Sequence, residues 1–279
     1  MELIAPKQLS TLSNPHRLAI FRLLVRRYPD EIPAGEIARI QELKSNTASV
    51  YLAALKEAGL VTQNRRGTSL LYRANLSSAE ALIQYLFEDC CRGRPTFCSN
   101  VEQNDIERRY LMSDGKYNVL FVCTGNSARS IFAEAIMREE AGDKFNVYSA
   151  GSHPFSVLNP VAMQLLKNRG FDTSPLRSKN ISEFQKAGAP VFDFVFTVCD
   201  LAANEECPAW PGQPISAHWG MPDPVKAEGT DAEKRLAFQQ TFGAMNNRIK
   251  AFAALPFASL DRASLQQRVD EIGRTPETT

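Results

Sequence analysis

Residues 120–135 read LFVCTGNSARSIFAEA. An apolar run ends on a thiol, five small or polar residues follow, and Arg129 opens an amphipathic stretch. A buried strand stopping at Cys123 delivers the next residues to the crevice at the carboxyl edge of an open α/β sheet, where such sheets bind ligands. Thr124, Gly125, Asn126, Ser127 and Ala128 are small enough for their backbone N–H groups to curl around a tetrahedral oxyanion. The following helix aims the positive end of its dipole at the same spot. Arg129 adds a planar fork that grips two anion oxygens. A thiol under that positive field is expected to be a thiolate nucleophile near neutral pH.

The texture on either side supports this. From Tyr117 onward, YNVLFV, SIFAEAIMREEA, FNVYSAG, PVAMQLLKNRG and FDFVFTV alternate strand and helix patterns, which predicts βαβ units and a parallel sheet. One more helical pattern, SLQQRVDEIG, lies beyond Leu255. Residues 1–88 read differently, mostly as helix. LSNPHRLAIFRLLVRRY carries apolar residues at Leu18, Phe21, Leu24 and Val25, IPAGEIARI predicts a short helix from about Pro33, and SNTASVYLAALKEAGLV buries Ala48, Leu52 and Leu55 before Gly59 stops it. LVTQNRRGTSLLYRA is a hairpin signal, and SSAEALIQYLFEDCC a further helix with Ser77 or Ser78 as its cap. The polar stretch 99–116 is a linker.

With 279 residues, 44% hydrophobic and 23% charged, the chain has the composition of a soluble protein with two domains. No apolar run is long enough to span a bilayer and MELIAPKQLS is not a signal peptide, so a cytoplasmic protein without membrane contact is expected. Net charge is +1 overall, with the basic surplus in residues 1–98, which permits nucleic-acid contact. The six cysteines fall at 90, 91 and 98; at 123; and at 199 and 207. In a reducing compartment such clusters point to ligands or catalysts rather than structural disulfides. Cys199 ends a second parallel strand on the same sheet edge as Cys123, so the two sulfurs can approach. Cys207 follows in an acidic, Pro-flanked segment.

The stretch VLFVCTGNSARS with AEA after it resembles the low-molecular-weight tyrosine phosphatase fold, a C-x₅-R-S loop that includes Ser130 on a four-stranded parallel sheet. Two branches share it: protein phosphatases, and thiol-dependent arsenate reductases of the thioredoxin-coupled type. A phosphatase has no use for Cys199 and Cys207, whereas a reductase needs them. The resemblance implies that Cys123 attacks arsenate, Cys199 attacks the Cys123 sulfur and expels arsenite, and Cys207 attacks Cys199, leaving a disulfide for an external reductant. AHWGMPDP also matches the reductase branch, with Asp223 as the acid before Pro224; His218 and Trp219 read as packing residues. No tightly bound cofactor is implied. The relay cysteines stand one residue further apart than in the best-known thioredoxin-coupled members, and some relatives use glutathione with glutaredoxin, or mycothiol, so the donor stays open among thioredoxin and these. Some members bind potassium beside the loop. Asn126, Glu134 and Ser149 match that site, but Lys179 falls where the family has an acidic ligand, and its ammonium is expected to replace the cation.

Residues 5–90 resemble the winged helix-turn-helix of ArsR-type repressors. This implies a homodimer formed through the N-terminal domain that binds operator DNA, with exposed Asn46, Thr47, Ser49 and Tyr51 reaching base edges and Arg65 and Arg66 at the wing touching phosphates or the minor groove. In EDCCRGRPTFCS, Gly93 and Pro95 end the helix so that Cys98 can fold back on Cys90 and Cys91. Three thiolates suit trivalent arsenic, so arsenite is the expected effector.

The expected architecture is therefore a mainly α winged helix-turn-helix domain with arsenite sensing (1–98), a linker (99–116), an α/β arsenate reductase domain with a four-stranded parallel sheet (117–255) and a helical extension and tail (256–279). The expected function is arsenate reduction fused to an arsenite-responsive repressor. Two alternatives stay open: a low-molecular-weight tyrosine phosphatase fused to a repressor, and a DNA-binding regulator whose oxyanion-binding half is inactive.

Overall fold

The computed structural model describes residues 4–86, 115–186, 188–205 and 210–274. Two compact units divide the chain between Gln103 and Asn104.

The first unit begins with α1 (Ala5–Leu12) and α2 (Pro15–Arg26). Asn14 starts α2 by accepting from the N–H groups of His16 and Arg17. Strand β1 (Ile32–Pro33), α3 (Ala34–Ile40) and α4 (Ser45–Glu57) follow, then the hairpin β2 (Val61–Arg66) and β3 (Ser69–Ala74), and α5 (Leu76–Tyr85). The antiparallel sheet runs β1-β3-β2. Ala48, Leu52 and Leu55 line the buried face of α4, and Gly59 takes the left-handed conformation that ends it, at φ 71°. On α2 the sequence pattern marks a helix without choosing its buried face, and at α5 one expected cap needs correction. The buried face of α2 is Ile20, Leu23 and Leu24, while Leu18 and Val25 are exposed: apolar residues cover more than half the circumference, so spacing alone does not choose the face. The cap of α5 is Asn75, not Ser77 or Ser78, because the Asn75 side chain accepts from Ser78 N–H while donating to the Gly59 carbonyl.

In the second unit four parallel strands, β4 (Tyr117–Cys123), β5 (Phe145–Gly151), β6 (Phe194–Thr197) and β7 (Ile215–His218), are ordered β5-β4-β6-β7. Helices α6 (Arg129–Ala141), α7 (Pro160–Asn168), α8 (Asp200–Asn204), α9 (Asp231–Ala253) and α10 (Arg262–Gly273) complete it. Helix α6 is buried without interruption from Ser130 to Met137, with Phe132 edge-on to Phe238 and Phe242 of α9. Helix α9 was not anticipated from the sequence. Its Thr230–Glu233 capping box fixes its start, and Phe238, Phe242, Met245, Ile249 and Phe252 are its core residues. The helix of the C-terminal extension, α10, joins the same core through Leu265, Val269 and Ile272.

Strand order explains where a site can form. From β4 the chain crosses to β5 on one side, then returns past β4 to β6 on the other. The carboxyl ends of β4 and β6 therefore border a topological switch point, where connections leave a crevice open. Cys123 is the last residue of β4, and Cys199 lies just past β6.

Candidate active site

The loop 124–128 is shaped from outside. Its carbonyls point away from its centre: Ser152 N–H donates to Cys123 O, His153 to Thr124 O, Phe155 to Gly125 O and Asn159 to Ser127 O, all at 2.9–3.1 Å. Zipped in this way to the segment after β5, the loop keeps its N–H groups for the inside. One of them, Asn126 N–H, lies 3.1 Å from Cys123 Sγ. Gly151 allows the close approach: a Cβ there would stand 2.5 Å from the Thr124 carbonyl oxygen.

Asn126 holds the turn from within. It is fully buried, at φ 41°, in the left-handed region, a conformation that persists when surroundings over-determine it. Its amide donates to Ser130 Oγ at 2.9 Å and Ser149 Oγ at 2.8 Å, and its oxygen accepts from Lys179 N–H at 2.7 Å. Ser149 donates to Glu134 Oε2 at 2.6 Å. The Lys179 ammonium reaches the same oxygen at 2.8 Å and the Arg177 carbonyl at 2.9 Å, and Arg138 takes the other Glu134 oxygen at 2.7 Å. Glu134 and Lys179 are both almost fully buried. The chain itself thus supplies a positive charge on the Glu134 oxygen that Ser149 also meets, while the Lys179 main chain holds Asn126.

Cys123 is 3% exposed and its sulfur lies 2.8 Å from Ser130 Oγ. Burial pushes its thiol above the usual range, and the neighbouring Cys199 adds to the rise. The Ser130 hydroxyl, the Asn126 N–H and Arg129 pull the other way but do not prevail. This reverses the expectation of a thiolate favoured by its setting. Arg129 is engaged elsewhere: one nitrogen donates to the Met221 carbonyl at 3.0 Å and another pairs with Asp223 at 2.8 Å. Asp223 also caps the turn at Pro224–Lys226 by accepting from Val225 N–H. Buried Arg248 of α9 fastens the strand end leading to Asp223, donating to the carbonyls of Trp219 and Gly220 at 3.0 Å each. Trp219 itself stacks on Phe196 at 4.0 Å between centroids and donates to Val269 O.

Cys199 is 1% exposed. Its sulfur accepts from Ala202 N–H at 3.4 Å and lies 3.5 Å from Thr124 Oγ1. The fold thus brings Cys123, Thr124, Arg129, Ser130, Cys199 and Asp223 to one sheet edge. Cys207 lies outside the described residues, as do Cys90, Cys91 and Cys98. Reading the sequence missed Arg248 and the 152–159 zipper, whose contacts are set by distant backbone.

In the first unit, α3 and α4 are joined by a turn in which Glu42 adopts φ 52° and Leu43 N–H donates to Ala38 O. Asn46 and Ser49 are exposed on α4, and Arg65 and Arg66 are exposed at the hairpin end. Thr47 and Tyr51, expected to be exposed, are half-buried. The Tyr51 ring stacks on His16 at 5.7 Å, since α4 lies against α2 at that point. Val50, which the sequence reading passed over, is 66% exposed on the same helix.

Known proteins align with this geometry. The family model "Low molecular weight phosphotyrosine protein phosphatase" matches residues 118–268, and a "Helix-turn-helix domain" model matches residues 12–64. An arsenate reductase of Halalkalibacterium halodurans is 43% identical over 137 residues, which is 48% of this chain and 94% of that protein. An arsenate reductase of Bacillus subtilis (strain 168) is 40% identical over 135 residues, again 48% of this chain and 94% of that protein. The solved structure titled "An arsenate reductase in oxidized state" covers 49% of this chain and 96% of its own, at 27% identity and a TM-score of 0.41. The chain belongs to the low-molecular-weight phosphotyrosine protein phosphatase family and carries a helix-turn-helix domain ahead of it.

Proposed function

We propose that the second unit reduces arsenate to arsenite through three thiols. Arsenate enters the loop of Thr124, Gly125, Asn126, Ser127, Ala128 and Ser130, and Arg129 turns from Asp223 to two of its oxygens. Cys123 thiolate displaces one arsenate oxygen, which leaves as water after protonation, and forms a sulfur–arsenic(V) bond. Asp223, beside Arg129, supplies a proton on this side. Cys199 thiolate then attacks the Cys123 sulfur. A sulfur–sulfur bond forms as the sulfur–arsenic bond breaks, and the electron pair departs with arsenic as arsenite. Cys207 attacks Cys199, frees Cys123 and leaves a Cys199–Cys207 disulfide, which an external dithiol returns to two thiols with two electrons. Thioredoxin, or glutaredoxin with glutathione, fills that role.

One observation carries the reading. A second buried thiol, Cys199, lies against the oxyanion loop through Thr124 and raises the Cys123 thiol, an arrangement with no use in hydrolysis. Lys179 supplies the cation beside the loop, so the enzyme works without potassium. The first unit, dimeric, binds operator DNA through α4 and the hairpin and releases it when arsenite joins Cys90, Cys91 and Cys98. Arsenite must then bind the released state more tightly than the DNA-bound one. No described helix is long and apolar enough to cross a membrane, in keeping with a cytoplasmic protein.

The test follows NADPH loss with arsenate, thioredoxin and thioredoxin reductase, repeated with glutaredoxin and glutathione. Turnover lost in Cys199→Ser while an aryl phosphate is still hydrolysed is the expected result. An aryl phosphatase with no NADPH loss in either system would make it a hydrolase, and silence in all assays would leave a regulator with an inactive oxyanion-binding half.

A further inference from the structure

Cys199 stands between Thr197, which ends β6, and Asp200, which opens α8, and one imidazole touches both neighbours. His218, the last residue of β7 and 1% exposed, places Nδ1 2.8 Å from Thr197 Oγ1 and Nε2 3.3 Å from Asp200 Oδ1. An ionised carboxylate only accepts hydrogen bonds, so Nε2 carries the proton; on the neutral ring Nδ1 then accepts from the Thr197 hydroxyl. The surroundings leave the ring no room. A Cβ on Gly220 would lie 2.5 Å from His218 Nε2 and 2.9 Å from Asp200 Oδ1, and one on Gly273 would lie 2.7 Å from the His218 carbonyl oxygen.

We infer that His218 is a positioning residue for the relay thiol, and that it acts through Asp200. Thr197, His218 and Asp200 form a brace across the two ends of the short stretch that bears Cys199. The main chain before the thiol is anchored where Val198 N–H donates to Val122 O and Trp219 N–H to Thr197 O, both at 2.8 Å. Beyond it α8 is five residues long, and the sulfur contacts Ala202 N–H and Thr124 Oγ1 at 3.4 and 3.5 Å. Fixing Asp200 sets the start of α8, and with it the extended Cys199 backbone (φ −148°, ψ 149°) that turns Sγ toward the loop. Sulfur-to-sulfur attack is sensitive to this placement, because a displacement near 1 Å costs about 100-fold in an intramolecular step. The inference rests on the reductase reading for its purpose, but its geometry does not depend on arsenic.

The test uses the full chain with Cys207→Ser, so that only the first relay bond forms. Diamide removes two electrons and two protons from a thiol pair, and peptide mapping reports the rate at which the Cys123–Cys199 disulfide appears. Asp200→Ala, at a side chain 54% exposed, Gly220→Ala and His218→Ala are each expected to slow that rate by about 10- to 100-fold. His218→Gln, whose amide N–H can still reach Asp200, is expected to recover most of it. Carboxymethylation of Cys123, measured in parallel, stays within about twofold. Unchanged disulfide rates in Asp200→Ala and Gly220→Ala would overturn the brace, as would Cys123 carboxymethylation falling in step with them. If the brace variants slow the disulfide while the natural chain reduces no arsenate, the brace stands and the reductase reading falls.

Discussion

The oxyanion loop and the segment after β6 occupy the same sheet edge, and they are built to opposite specifications. Around the loop, Asn126 alone makes three side-chain hydrogen bonds, three loop carbonyls and that of Cys123 are tied outward, and Glu134 accepts from Ser149, Lys179 and Arg138. Around Cys199, the described contacts to the sulfur itself are two long ones, and the main chain on either side is placed by a five-residue helix and the Thr197–His218–Asp200 brace. The difference matches the proposed chemistry. An oxyanion cradle gains from donors that need no rearrangement when charge arrives. A relay thiol must meet one sulfur and then another, so its backbone is fixed by the brace while the sulfur is left with long contacts that it can exchange.

If the loop is the fixed partner, damage to it should dominate. Cys123→Ser is expected to remove arsenate turnover entirely, and Arg129→Ala to cost about 10²–10³-fold in kcat/KM, as for loss of one oxyanion donor, both read in the coupled NADPH assay. Lys179→Met takes from buried Glu134 the ammonium paired with its Oε2, and a loss of about 3 kcal/mol of stability is expected from breaking such a pair. Urea unfolding checks this, with recovery in the Lys179→Met, Glu134→Gln double variant. Equal stability of the single variant would mean that the buried Lys179–Glu134 pair is not what holds this side of the loop.

The setting of Cys123 also gives its reactivity a pH signature. Burial and Cys199 both push the Cys123 thiol up, so its thiolate fraction, and its carboxymethylation rate, should still be rising above the ordinary thiol range. Cys199→Ser removes one of the two upward causes and should move that profile to lower pH. A shift to higher pH would contradict the arrangement of the two sulfurs. The smallest effect lies far from the loop. Asp270 on α10 has its pKa raised to about 6 by burial, against a hydrogen bond from Gln266. Its folded value exceeds its unfolded one, so stability falls as pH rises from about 4 to 6 and stays lowered above that. Asp270→Asn should therefore stabilise by about 1–2 kcal/mol at pH 7.5 and hardly at all at pH 4, which melting at the two pH values would show.

What could be read from the sequence follows the range of the interactions. The strand, loop and helix over residues 119–135 are specified by neighbours within a turn or two, so Cys123, the small loop residues and Arg129 were legible at once. Cys199 was legible because strand ends share an edge in a parallel sheet. The Asn126 ring was legible only through family resemblance, since Ser149 and Lys179 are 23 and 53 positions away. Strand β7, ISAH, was not read from the sequence, because it lacks the apolar run that marks the equally short β6; the resemblance supplied only the number of strands. Helix α9 did carry a signal: its core residues are spaced by four and three, behind a Thr–Glu cap. The upward shift of Cys123 was not legible, because it comes from burial and from Cys199, 76 positions further along the chain, neither of which the loop residues alone reveal.

The decisive observation is a single turnover. The reduced full chain is mixed with one equivalent of arsenate, without external thiol, then acid-quenched, alkylated and mapped, while released arsenite is counted. One arsenite per chain, with Cys199 joined to Cys207 and Cys123 returned to a free thiol, is the expected result. Cys199 and Cys207 both recovered as alkylated thiols, with no arsenite released, would show that electrons do not leave the oxyanion loop through this pair.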